Sequence, residues 1–259
     1  MPRFLDGRKR LIGMIHLPPL PGSSQYAGQA FGQIVERALQ DARTLHDAGF
    51  DSGIIQNTHD LPVTVTALPE TIACLAAVGW EIRRTLDWSL GINILKNDAG
   101  GALAVAAAVN ATFVRLKVYV GAALGAEGVL APSAPEALRV RQRLGTDTEI
   151  WADLFDRTSV PLVAQPLEQL AEWATKFGGA AAVIVTGACW TDTLAMAESV
   201  RRAGLDVPVA LGGGVQHDNV RAALDVADAV IVGSALEEQP FTGPISADKA
   251  RSFVARAYS

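Results

Sequence analysis

A histidine followed by closely spaced prolines is the first stretch of this sequence whose residue types could do chemistry. The segment "LIGMIHLPPLPGSS" (11–24) places His16 at the end of an apolar run, just before Pro18, Pro19 and Pro21. An imidazole exchanges protons near neutral pH, so His16 is a candidate general acid or base. The prolines fix φ and remove backbone donors, which predicts a stiff loop that could hold the ring or cover a ligand. The alternative is a loop that only routes the chain, with His16 bonded to a carbonyl.

Two cations and a carboxylate form a second candidate group. In "FVRLKVYV" the side chains of Arg115, Lys117 and Tyr119 have the same strand parity, which predicts a shared inward face. Unpaired buried charges are costly, so the cations call for a ligand anion or for an internal carboxylate such as Asp153. A desolvated Lys117 could also form a Schiff base, and Asp153 could act as a general base or metal ligand. A strand turned toward the helices, away from any site, is the remaining alternative.

Glycine-rich segments near the end of the chain are candidates for binding an anion. The segments "ALGGGV" (210–215) and "VGSAL" (232–236) follow predicted strands, and backbone N–H groups at such positions commonly bind phosphate. The competing interpretation is that Ser234 and Glu237 have the spacing of a helix capping box. Glu237 and Glu238 would also make the site less attractive to phosphate. The predicted phosphate-binding residues are Gly187, Gly213, Gly214, Gly233 and Ser234.

Further polar residues stand at the ends of predicted strands. Gln56 and Asn57 suit sugar hydroxyls, or they satisfy loop backbone. Asp98 precedes an alanine-rich helical segment, where it could cap the helix or bind substrate hydroxyls or a divalent ion. Cys189 has no neighbouring base, which favours a packed thiol over a nucleophile. The predicted substrate-binding residues are Gln56, Asn57, Asn97, Asp98, Arg115, Arg157 and Thr186.

The elements that must position these residues are eight short apolar runs, each followed by a helical pattern. The runs cover residues 10–17, 51–57, 88–95, 112–120, 149–155, 181–187, 207–213 and 228–235. They are apolar on both parities, as strands covered on both faces should be. Eight such units predict a single (β/α)8 barrel over residues 1–259, with catalytic groups at the carboxyl ends of its strands. We therefore expect His16 and Asp153 to share a pocket. An open doubly wound sheet is the alternative, although no G-x-G-x-x-G follows the first run.

Composition narrows the classes of partner. The chain has 259 residues, 49% of them hydrophobic, and a formal net charge of −5 without any basic run, which argues against a nucleic-acid binder. Cys74 and Cys189 have no metal-type spacing, which favours a reduced, cytoplasmic setting. The N-terminus has no signal-peptide cleavage site, and the weakly polar stretch 99–109 is too short to span a bilayer. We therefore expect no transmembrane segment.

Several motifs together resemble one protein family. "GMIHLPPLPGS" (13–23), "NTHDLP" (57–62), "GINILKNDAGGALAVAAA" (91–108) and "FVRLKVYVGA" (113–122) are similar to the BtpA/SgcQ family, named partly for a photosystem I biogenesis factor. The resemblance implies a TIM barrel like those of the ribulose-phosphate-binding group. It implies little about the reaction, because some relatives look like photosystem assembly factors and others like parts of sugar-utilisation operons. The chain departs from the family pattern at Gln56, Lys117, 155–159 and Glu237.

The combined expectation is a cytoplasmic enzyme that acts on a small phosphorylated sugar or related carbonyl compound. Isomerisation, epimerisation and aldol-type cleavage are the reaction classes, with His16 and Asp153 as acid/base groups and Lys117 as an electrophile or Schiff-base residue. A non-catalytic assembly factor of the BtpA type is the alternative. No cofactor is expected, a divalent metal is left open, and so is a homo-oligomer.

Overall fold

Eight parallel strands close into a barrel in the computed structural model, which describes residues 4–259. The strands in chain order are β1 (Arg10–His16), β2 (Ser52–Gln56), β3 (Ser89–Asn93), β4 (Phe113–Leu116), β5 (Ala123–Gly125), β6 (Gly128–Leu130), β7 (Glu149–Asp153), β8 (Val160–Pro161), β9 (Ala182–Val185), β10 (Val209–Leu211) and β11 (Ala229–Val232). The barrel order is β1-β2-β3-β4-β7-β9-β10-β11, with β11 pairing back to β1. Each predicted apolar run contains one barrel strand, which confirms the TIM-barrel prediction and excludes the open sheet.

The helices surround the barrel and bury their apolar faces against it. They are α1 (Phe31–Ala48), α2 (Pro69–Thr85), α3 (Ala99–Val109), α4 (Ala134–Leu144), α5 (Leu167–Glu172), α6 (Trp190–Arg202), α7 (Val220–Val226) and α8 (Ala247–Ala257), and α5 continues into a π-helical turn, Trp173–Phe177. The larger hydrophobic core lies between strands and helices. Within residues 4–259, no helix combines the length and apolar character that crossing a bilayer requires.

The amino-terminal end of the barrel interior is filled by aromatic side chains. The rings of Phe113 and Trp151 stack with centroids 4.2 Å apart, and Phe4 lies 5.8 Å from Phe113. Glu149 fixes this arrangement, because its carboxylate accepts from the Trp151 indole N–H at 3.0 Å and from the Phe4 backbone N–H at 3.0 Å. The aromatic floor therefore closes one end of the barrel.

The segment after β4 departs from the predicted long strand. Strand β4 ends at Leu116, and the chain then forms a small antiparallel sheet in the order β6-β5-β8. Because the regular alternation stops there, Tyr119 does not share the inward face of Arg115, and that part of the parity prediction is wrong. Tyr119 packs in the layer between strands and helices, where its hydroxyl donates to the Gly178 carbonyl. Burial raises the pKa of Tyr119 to about 12.

Candidate functional site

A cavity of about 360 Å³ lies at the carboxyl ends of the barrel strands. It is lined by all three residues predicted as catalytic and by most of those predicted to bind substrate or phosphate. The predicted residues on its walls are His16, Gln56, Arg115, Lys117, Asp153, Arg157, Thr186, Gly213, Gly214, Gly233 and Ser234. His16 and Asp153 thus share a pocket, as their strand-end positions predict.

A buried carboxylate orients the histidine in this cavity. The His16 Nδ1 atom lies 2.6 Å from the Glu237 Oε1 atom, and Glu237 is buried. The second Glu237 oxygen accepts the backbone N–H of Phe241, whose ring stacks on the imidazole with centroids 6.3 Å apart. Because a carboxylate only accepts, Nδ1 carries the proton of the neutral ring, and Nε2 has no hydrogen-bond partner within residues 4–259. The geometry is that of a histidine held in one tautomer and one orientation.

Gly233 provides the space for this imidazole. A Cβ placed on Gly233 would stand 2.9 Å from the His16 Cε1 atom, closer than real Cβ contacts. The glycine therefore has a packing role beside the ring, in addition to the predicted anion-binding role of this loop.

The partner Glu237 is the functional candidate that the sequence interpretation missed. The capping-box prediction for Ser234 and Glu237 is wrong, because within residues 4–259 the next helix after β11 begins at Ala247. Instead, Glu237 forms an isolated bridge with Ile245 and turns its carboxylate toward His16. A usable signal exists, because a closed barrel makes its last strand a neighbour of its first. An acid just beyond the last strand is therefore near a histidine at the end of the first.

Arg115 and Asp153 form a buried, bidentate ion pair. The Arg115 Nε atom donates to Asp153 Oδ2 at 2.8 Å, and a terminal guanidinium nitrogen donates to Oδ1 at 2.7 Å. Burial alone would lower the pKa of Arg115, but the Asp153 carboxylate outweighs it and raises that pKa. The inward orientation is confirmed for Arg115, and the predicted internal partner is the one found. Since both Asp153 oxygens are engaged, the carboxylate holds the guanidinium at the cavity wall.

Lys117 is a cation of this cavity without a direct partner among residues 4–259. Its ammonium has no hydrogen-bond or salt-bridge partner among residues 4–259, although Asp153 and Asp156 lie close enough to stabilise its charge. Burial lowers the pKa of Lys117, and the Arg115 charge lowers it further. Burial opposes ionisation of Asp156, but Lys117 and the hydrogen bonds from Thr158 outweigh it, so the pKa of Asp156 falls below its usual range.

Unpaired backbone donors line the opposite wall. Gly213 and Gly214 follow β10 and Ser234 follows β11, and in the described range 4–259 their backbone N–H groups meet no protein acceptor. The buried Thr186 hydroxyl on the same wall also lacks a partner in that range. Arg157 is exposed at the same cavity. Backbone N–H groups beside a guanidinium are suited to a phosphate or another oxyanion.

Two predicted asparagines lie outside the cavity and are engaged by backbone. Asn57 accepts the Leu95 N–H at 2.8 Å and donates to Asp60 at 2.8 Å. Asn97 accepts the Val118 N–H at 3.0 Å. Both side chains thus hold the loops that follow the strands, which is the alternative that the sequence left open for Asn57.

Asp98 and Gly187 are also placed away from this cavity. Asp98 caps α3 by accepting the Gly101 N–H at 2.7 Å, and it accepts the Ala67 N–H at 2.8 Å. The Gly187 N–H donates to the Thr193 hydroxyl at 2.9 Å, so this amide is occupied within the protein. Of the two roles considered for Asp98, the structure shows the helix cap.

Asp98 and Asp153, the two carboxylates considered as metal ligands from the sequence, are both occupied by donors within the protein. Asp98 accepts two backbone N–H groups, and Asp153 accepts two donors from Arg115. Across residues 4–259 no three His, Cys, Asp or Glu side chains converge in a way that could hold a metal ion.

Cys189 does not match its predicted environment. The residue is exposed at the N-cap position of α6 rather than packed in the core. Strand β9 ends at Val185, so Cys189 lies in the loop that leads to α6 and not on the strand itself.

Comparison with known proteins identifies the family to which the chain belongs. A model of the BtpA family matches residues 7–259. The chain belongs to the BtpA family. It is 36% identical over 253 residues to the uncharacterized protein TK2179 of Thermococcus kodakarensis, covering 95% of this chain and 94% of that protein. It is 32% identical over 232 residues to the photosystem I biogenesis protein BtpA of Synechocystis sp., covering 88% and 80%. The sgc region protein SgcQ of Escherichia coli is 25% identical over 235 residues, covering 89% and 87%.

Solved structures similar to this BtpA-family barrel are TIM barrels. N-(5'-phosphoribosyl)anthranilate isomerase from Pyrococcus furiosus superposes with a TM-score of 0.59 at 13% identity, covering 96% of this chain and 98% of that chain. Tryptophan synthase from Mycobacterium tuberculosis superposes with a TM-score of 0.61 at 17% identity, covering 98% and 95%. At such low identity the likeness establishes the fold and nothing about the substrate.

Proposed function

We propose that this BtpA-family protein is an enzyme that moves protons on a small phosphorylated sugar or related carbonyl compound. The reaction class is isomerisation, epimerisation or aldol-type cleavage. One observation carries the proposal, namely that His16, oriented by Glu237, lines the same cavity as Lys117 and the unpaired amides of Gly213 and Gly214. A base, a cation and an anion cradle within one pocket suit proton abstraction next to a carbonyl.

Each group has a role in this proposal. The Gly213, Gly214 and Ser234 amides, with Arg157, bind the phosphoryl group and so place the sugar against the strand ends. His16 takes a proton from the carbon beside the carbonyl through Nε2 and returns it to the product. The positive charges of Lys117 and Arg115 stabilise the oxygen that gains negative charge as the proton leaves.

Lys117 supports a covalent variant of the same chemistry. A lysine whose pKa is lowered by burial has more neutral amine, which can add to a substrate carbonyl and expel water to form an imine. Borohydride would reduce that imine and leave the substrate carbon skeleton attached to the Lys117 Nζ atom. Mass spectrometry after borohydride treatment therefore separates the covalent route, which labels Lys117, from a purely electrostatic role, which does not.

A ligand screen by thermal shift tests the proposal. Aldose and ketose phosphates of three to six carbons are compared with the same sugars lacking phosphate. A ligand present at a hundred times its Kd stabilises the protein by about 2.7 kcal/mol, and we expect this only for phosphorylated members. Arg157→Ala should weaken the effect, whereas Arg139→Ala removes an exposed charge from α4 and should not. No stabilisation by any phosphorylated sugar, or equal stabilisation by the unphosphorylated set, would contradict the proposal.

A non-catalytic assembly role is the second candidate. One relative is named a photosystem I biogenesis protein, and the small β6-β5-β8 sheet exposes apolar side chains, with Val160 at 68% and Val129 at 61% relative exposure. Under that role, His16→Asn would leave function unchanged, and charge substitutions on the small sheet would abolish it. Under the enzymatic role the two results are reversed.

A further inference from the structure

A second cavity adjoins the polar one. It has a volume of about 450 Å³ and is lined by the ends of, or the segments after, β4, β7 and β9 and by α5 and α6. The two cavities have four lining residues in common, namely Lys117, Asp153, Phe155 and Asp156. We call this second space the side chamber. Lys117 therefore borders both spaces, so groups bound in either space lie beside its side chain.

The side chamber differs chemically from the polar cavity. Its walls include Val120 and Ala123 from the segment after β4, Leu170 from α5 and Met196 from α6. Its charged lining residues within 4–259 are Lys117, Asp153, Asp156 and Asp192, and the rest of its walls are mainly apolar. A bare sugar phosphate carries hydroxyls along its whole length, so it has no group that gains from contact with such a surface.

We propose that the substrate is a sugar phosphate that carries an apolar, aromatic or branched aliphatic substituent, and that the side chamber binds this substituent. This extension rests on the proposed function, because it needs the phosphoryl group at Gly213 and Gly214. The occupant is inferred to be part of the substrate itself, since four side chains line both spaces. The bond between sugar and substituent then lies beside Lys117, where a carbonyl or imine carbon would react.

The polarity of the shared wall supports this division. All four shared residues line both spaces: Phe155 offers a ring edge or face to an apolar group, and Lys117, Asp153 and Asp156 offer charged groups to the sugar. An apolar substituent covering Lys117 would remove more water from it. That desolvation would keep its amine neutral, since burial already lowers the pKa of Lys117.

Two phosphate monoesters that differ by one ring test the inference. Binding of n-butyl phosphate and 4-phenylbutyl phosphate is measured by isothermal titration calorimetry with the whole protein. Burial of one phenyl ring should tighten binding by at least about tenfold in the wild type, given about 25 cal/mol per Å² of apolar surface. Met196→Trp fills the chamber, so it should bring the two affinities within about twofold while n-butyl phosphate binds as before.

The controls separate the possible failures. Ala195→Trp adds the same indole to an exposed position of α6 and should keep the full advantage of the phenyl ester. Leu170→Trp, on the other helix, repeats the filling in case Met196→Trp does not fold. Equal affinities in the wild type, or an advantage that survives both filling variants, would overturn the side-chamber proposal alone. If neither ester binds, the phosphate site itself fails, and the proposed function fails with it.

Discussion

The two ends of this barrel are made from the same strands but differ in character: one is packed with aromatic rings and the other is an open polar cavity. At the floor, Phe113 and Trp151 stack and exclude water; two residues further along the same strands, Arg115 and Asp153 pair at the wall of an open cavity. Successive inward positions on a strand are two residues apart, so one strand can supply first a core residue and then a site residue. The packed floor and the proposed site are thereby separated by depth along the barrel, and substitutions at the two ends should have separable effects.

The largest effect is expected at the floor. Phe113→Ala removes the ring that stacks on Trp151, and such deletions cost about 3–5 kcal/mol of unfolding free energy. Urea unfolding followed by fluorescence measures the loss. Affinity of the remaining folded protein for inorganic phosphate should be unchanged, because no floor residue lines the cavity. A loss of phosphate affinity larger than the loss of folded protein would show that the two ends are coupled.

A substitution at the rim should show the reverse pattern. Gly233→Ala places a Cβ 2.9 Å from the His16 Cε1 atom, so the ring must move. Displacing a proton-transfer group by a fraction of an ångström should slow turnover by about tenfold to a hundredfold, with little change in melting temperature. Gly32→Ala is the matched control, since a Cβ there meets no atom of the described chain within 4 Å. Unchanged turnover in Gly233→Ala would show that the position of His16 is not critical.

Asp98 should behave as a structural residue although it follows a barrel strand. Asp98→Ala removes the α3 cap, which costs about 1 kcal/mol of unfolding free energy. Phosphate affinity and turnover per folded molecule should stay at wild-type values. A drop in turnover without loss of stability would show that Asp98 contributes to the site, although it does not line the cavity described above.

The smallest effect concerns the pH dependence of stability. The pKa of Lys117 is lowered in the folded protein from its ordinary 10.5, so at neutral pH folding must keep a charge that burial disfavours. Between the folded pKa and about 10.5 the unfolded chain binds more protons, and stability attributable to Lys117 rises with pH. Wild type should therefore gain stability relative to Lys117→Met as pH increases toward 10.5. Urea unfolding at several pH values measures this difference, and a constant gap would contradict a lowered pKa.

The sequence predicts the barrel well because barrel strands leave a strong local pattern. Runs that are apolar on both parities can be buried only between two layers, so their number and order define the fold. Strand parity also places Arg115 and Asp153 inward. It fails at Tyr119, because β4 ends at Leu116 and nothing in the apolar run "VYV" marks where pairing with the neighbouring strand stops.

The polar partners are harder to predict, because they depend on contacts between distant segments. Glu237 is 221 residues from His16 along the chain, and its spacing from Ser234 imitates a helix cap. Asn97 and Asp98 look like site residues because they follow β3, but backbone donors from neighbouring loops and from the first turn of α3 occupy them. Whether a polar residue after a strand serves a loop or a ligand is decided by those loops, whose conformations carry no periodic pattern.

Hydrogen exchange into a bound sugar phosphate tests the central claim most directly. A sugar phosphate that stabilises the protein is incubated with it in deuterium oxide, and deuterium at the carbon beside the carbonyl is followed by NMR. The wild type should incorporate deuterium, and His16→Asn should remain folded and bind the ligand while incorporation slows by about 10²–10⁴-fold. Incorporation by His16→Asn at the wild-type rate would contradict the assignment of the His16–Glu237 pair as the proton-transfer group.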